Sequence, residues 1–132
     1  MASELRVNTL KDASGNNSIA TSFVAGGSAK AFYIFDGTAG TPSFGDSLNC
    51  ASLTDVATGN FTPNWTSAMG SVNYSHTTNS ENLSALNAAS THLTGSSRLF
   101  VINDSGSAQD RAITNGCTHG DLAGVRQQNS PH

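Results

Sequence analysis

Residues Ser3 to Thr38 read SELRVNTLKDASGNNSIATSFVAGGSAKAFYIFDGT, and the order of apolar, polar and small residues in this stretch points to a fold made of strands. Leu5 and Val7 stand one residue apart, as in a short strand with one apolar face. Asp12 to Asn17 then supplies a polar turn of Gly and Asn, and Gly26, Gly27 and Ser28 a small-residue linker. Behind the linker, Phe32, Tyr33, Ile34 and Phe35 form a dense aromatic strand.

The rest of the chain carries the same signature. Phe61, Pro63 and Trp65 alternate with Thr62 and Asn64, and Val72 and Tyr74 with Asn73 and Ser75, so both segments read as half-buried strands. Pro63 has no N–H for a ladder, which predicts an edge strand or a bulge. Ala31 to Phe35 and Leu99 to Ile102 are apolar at successive positions, as in strands covered on both sides or packed between subunits, and are the core candidates. Gly59, between Leu53/Val56 and Phe61, predicts a hairpin over 57–60. Asn79 to Thr94 is the least strand-like region: Leu83, Leu86 and Leu93 suit one or two helical turns, or the segment is a long surface loop. No segment sustains the spacing of a long amphipathic helix.

The fold expected is therefore all-β, a small antiparallel β-sandwich or barrel-like domain with an extended N-terminal arm. The divisions are an attachment and assembly arm at 1–28, a β domain at 29–124 and a C-terminal tail at 125–132. Exposed sheet edges and a thin body favour completion in a closed homo-oligomer.

Composition narrows the function. Only 11% of the 132 residues are charged, against about 25% in ordinary soluble domains, so the surface is polar but mostly uncharged. A formal charge of −3 with six scattered Lys and Arg residues leaves no basic face for nucleic acid. No apolar run approaches the length needed for membrane insertion, and MASELRV has no apolar signal core, which predicts synthesis in a cytoplasm. Cys50 and Cys117 are too few for a disulfide framework, and buried free thiols are expected.

Several residues invite a chemical reading. Cys117 and His119 would share a strand face, yet one Cys-x-His pair without further ligands does not make a metal site, and a buried thiol beside a hydrogen-bonded imidazole is the simpler reading. His76 and His92, with Asp46, Asp55 and Glu81, contain the groups of an acid/base pair, but no spacing holds them together. Asn-x-Ser/Thr triplets such as Asn73-Tyr74-Ser75 are expected by chance in so Asn-, Ser- and Thr-rich a chain. Tyr33 and Trp65 are assigned to the core rather than to an exposed sugar platform, because the chain has few aromatics to fill it. No catalytic residue, metal ligand or cofactor is assigned, and an enzyme is not expected.

These segments resemble a module of bacteriophage tail-fibre and spike-type virion proteins. The likeness runs through Ser3 to Leu10, Asp12 to Ser18 and Gly27 to Phe32, where Phe32 replaces the more usual Trp. It resumes at Asp46 to Asp55, Thr58 to Thr62, Ala68-Met69 and Asn73 to Ser75, and ends at Gly120 to Ala123 as a short C-terminal strand; 79–97 matches no motif. The resemblance implies a homotrimeric tail-fibre or spike component that mediates host attachment in the virion. A capsid decoration or head-fibre protein and a carbohydrate-binding module are the alternatives. Leu5, Val7 and Leu10, with little local sequence to bury them, are expected to attach the chain to other virion proteins or to its own copies. Asn82, Asn87 and His92, on the motif-free segment, are expected to contact a host cell-surface glycan.

Overall fold

The computed structural model describes residues 3–82 and 85–124, the side chains of 85–90 excepted. In chain order the elements are β1 (Thr9–Lys11), β2 (Ser18–Ala20), α1 (Thr21–Gly27), β3 (Ala29–Phe35), β4 (Phe44–Leu48) and β5 (Cys50–Ala57). Then follow β6 (Asn60–Trp65), β7 (Ser75–Ser80), β8 (Ala85–His92), β9 (Ser97–Val101) and β10 (Thr114–His119). Two four-stranded antiparallel sheets, ordered β4-β3-β10-β7 and β5-β6-β9-β8, pack together, and β1-β2 is a separate hairpin. This is the all-β sandwich that the alternating patterns predict.

Strand alternation builds the core. Ala31, Tyr33 and Phe35 from β3 meet Phe61 and Trp65 of β6 and Leu99 and Val101 of β9, with Met69 and Tyr74 closing one end. The Phe35 and Phe61 rings meet edge to face at 4.8 Å, the arrangement that aromatic quadrupoles prefer. Complete burial of side chains such as Phe61 and Leu99 stabilises the fold by roughly 1.5–3 kcal/mol each. Position 116 of β10, opposite Tyr33, has room only for glycine, because a Cβ there would collide with the Tyr33 hydroxyl.

Several local expectations need correction. Leu5 and Val7 lie outside any strand; the strand begins at Thr9, where pairing with Ala20 becomes available across the Asp12–Asn17 turn. The supposed linker is the short helix α1, whose last turn is closed by Ser28 N–H to the Val24 carbonyl and by the Lys30 ammonium on the Ala25 carbonyl at 2.6 Å. Within the chain β3 is covered on one side only, since Phe32 and Ile34 remain 38% and 40% exposed, which corrects the first of its two readings and leaves packing between subunits as an expectation. Val72 and Tyr74 precede β7 rather than forming a strand, although Tyr74 is buried.

The segment read as loop or helical turns contains β8, which pairs along β9. Pro63 sits in an interior strand. Its missing N–H is accommodated because the β6–β9 ladder holds only Asn60↔Phe100 and Phe61↔Leu99 and resumes at the isolated bridge Asn64↔Ser96. The region near Asp121 contributes one bridge, Met69↔Leu122, rather than a strand. The 57–60 hairpin forms as read, with Gly59 at φ +65°.

Candidate functional site

Two features of the molecule bear on function, the arm and a buried polar chain. The arm is held by its own sequence. Asp12 accepts the backbone N–H of Asn16 at 2.9 Å and the Asn17 amide at 2.6 Å, and these donors hold its carboxyl below the usual carboxylate value of 3.8. The Thr21 hydroxyl reaches back to the Val7 and Asn8 carbonyls, so hairpin and helix form one unit. Yet the unit buries little: Leu5 is 81% exposed and Phe23 71%, and Val7, Leu10, Ile19 and Val24 are also exposed. α1 has no buried residue.

The second feature bridges the two sheets. His76 of β7 is buried, with Nε2 2.8 Å from the Tyr33 hydroxyl and Nδ1 2.9 Å from the Ser97 hydroxyl. Ser97 in turn lies 2.8 Å from Nδ1 of His92, whose Nε2 is 3.1 Å from the Tyr74 carbonyl. A carbonyl only accepts, so Nε2 of His92 donates to Tyr74, and if both rings are neutral the bonds run in one direction. Ser97 donates to His92, His76 Nδ1–H donates to Ser97, and Tyr33 donates to His76 Nε2. Burial of the phenol, with the Cys50 and Cys117 thiols nearby, pushes the Tyr33 ionisation well above 10.0 and keeps it a donor.

Ser97 is fully buried, so it offers no nucleophile to a substrate; the chain of bonds ties β3 and β7 of one sheet to β9 and β8 of the other. His76 and His92 stand out in the sequence, but Ser97, which joins them, does not. Asp46 and Asp55 stand exposed on β4 and β5, away from this chain. Glu81 accepts the backbone N–H groups of Ala112 and Ile113 at 2.7 and 3.3 Å and serves the turn instead.

Leu5, Val7 and Leu10, expected to serve attachment, are all exposed on the arm. Asn82 is exposed at a left-handed backbone position, φ +66°. His92 turns inward to the buried chain rather than outward from a loop. Asn87 and Leu86 pair with Leu99 and Phe100 through their backbones, and their side chains lie outside the described residues, as do Leu83 and the tail at 125–132. Tyr33 and Trp65 are in the core. Cys50 and Cys117 are free and half-buried, and among the described residues no group of three or more His, Cys, Asp or Glu could hold a metal ion. No described helix is long and apolar enough to cross a membrane.

No family model, no curated protein and no solved structure matches this chain.

Proposed function

We propose that the chain is a bacteriophage virion structural protein, a homotrimeric tail-fibre or spike component that mediates host attachment. The observation that carries this reading is the arm, a hydrogen-bonded unit whose apolar side chains from Leu5 to Val24 stay uncovered. A lone two-stranded hairpin and a seven-residue helix are each marginal in water, so such a unit calls for a partner surface. The β body has its own core. The arm attaches to other virion proteins and to neighbouring copies, and the body projects toward the host. The threefold number and the virion come from the resemblance of Ser3–Leu10, Asp12–Ser18 and Gly27–Phe32 to fibre modules.

Two measurements test it. Native mass at low micromolar concentration should correspond to three chains, and a stable monodisperse monomer would overturn the trimer. Deleting residues 1–27 should leave a soluble β body that no longer joins particles; normal incorporation of the truncated protein would overturn the assignment of the arm.

A further inference from the structure

The outer face of the β4-β3-β10-β7 sheet carries an arrangement used neither by the arm nor by the buried chain. Strand register places Phe32, Cys117 and Thr77 in one row across β3, β10 and β7, and Ile34, Asn115 and Asn79 in the adjacent outward row. Side chains alternate along a strand, so all six point away from the core occupied by Tyr33 and Thr118. They border a shallow depression of about 380 Å³, within the usual size of a small-molecule site. Small Cys117 lies between a wall of Phe32 and Ile34 and a wall of Thr77 and Asn79, two strand spacings or roughly 10 Å apart.

The chemistry of the two walls differs. Phe32 and Ile34 offer exposed apolar surface, while the amides of Asn79 and Asn115 have no protein partner among the described residues. Asp46 stands beside Ile34 on β4, one carboxylate oxygen accepting the Ser47 N–H at 2.8 Å. No Lys or Arg occupies these rows, so phosphate, sulfate or nucleic acid would meet a carboxylate and no cation. A purely apolar surface laid across the face would strip water from two amides without replacing its hydrogen bonds. A sugar ring satisfies both walls, with its C–H face on Phe32 and Ile34 and its hydroxyls on the amides and Asp46.

We propose that this face binds a neutral hexose unit of a host cell-surface polysaccharide, an inference that rests on the host-attachment reading above. The test is titration of the full chain with glucose, galactose and mannose, followed by amide NMR, with binding to immobilised dextran and mannan and to heparin as an anionic control. At least one hexose should shift resonances at 32–34, 77–79 and 115–117. Phe32→Ala and Asn79→Ala should each weaken binding about tenfold or more, whereas Val72→Ala, at an exposed site elsewhere, should not change it.

The three substitutions are at exposed or edge-facing positions, and an unchanged melting temperature verifies that each variant is folded. No shift with any hexose, shifts confined to other surfaces, or tighter binding to heparin would overturn the site. So would large shifts at these residues on deleting 1–27, which would mean that an arm covers the face. Adsorption separates the two readings. If adsorption requires the protein but tolerates Phe32→Ala and Asn79→Ala, the site fails and host attachment stands. If these variants lose sugar binding while particles lacking the protein adsorb normally, the site stands and host attachment fails.

Discussion

A serine hydroxyl that accepts from one imidazole and donates to another cannot be replaced by alanine without taking one hydrogen bond from each ring. Ser97→Ala takes the hydroxyl from buried His76 Nδ1 and part-buried His92 Nδ1, each lost bond to a buried group costs about 1–3 kcal/mol, and a loss of roughly 2–6 kcal/mol is expected in denaturant unfolding, the low end if His92 finds water. Tyr33 adds a pH dependence. Its phenol ionises at higher pH folded than unfolded, so the stabilisation is fully present below about pH 10 and declines as pH rises through the folded value. Tyr33→Phe should remove that part of the alkaline decline, measured as unfolding free energy between neutral and alkaline pH. Cys50 contributes in the same direction, because burial pushes its thiol up to about 11. Little of this was legible in the sequence. Both histidines are visible, but Ser97 is one of many serines, and only the packing of β7 against β9 and β8 makes it their common neighbour.

The elements divide by whether their cause is local. The β5-β6 hairpin was legible because Gly59 declares a left-handed turn, and that cause also makes it testable. A Cβ at Gly59 would add backbone strain at φ +65° and lie 2.5 Å from the Val101 carbonyl oxygen. Gly59→Ala should therefore cost at least about 2 kcal/mol, read as a lower midpoint in urea. β6 was legible too, since Phe61, Pro63 and Trp65 all face inward as their alternation predicts. β8 was not, because a strand rich in Ala, Ser and Asn has little propensity of its own and forms by pairing with β9. α1 escaped for a related reason: its closure comes from Ser28 and Lys30, beyond a stretch in which two glycines argue against a helix. In β3 the apolar run gave the strand, but it did not reveal that Phe32 and Ile34 would remain open.

For the whole molecule, a body with its own core joined to an arm without one predicts two kinds of stability. If copies associate through the arm, the melting temperature of the full chain should rise with protein concentration, whereas that of a chain lacking 1–27 should not, as scanning calorimetry over a hundredfold dilution would record. The site proposed on the outer sheet lies on β3, β10 and β7, and β3 is also the strand that the arm enters. The chain enters β3 at Ala29 and leaves β10 at His119, and these two residues are register partners. Tension applied between those points would peel the central pair of the sheet apart one hydrogen bond at a time, like a zipper. Tension between Ala29 and the far end of the body would instead load the β3 bonds together, in shear. If the arm is the anchor and the load is taken at the far end, as the proposed attachment role would have it, the body is pulled along its mechanically strong axis.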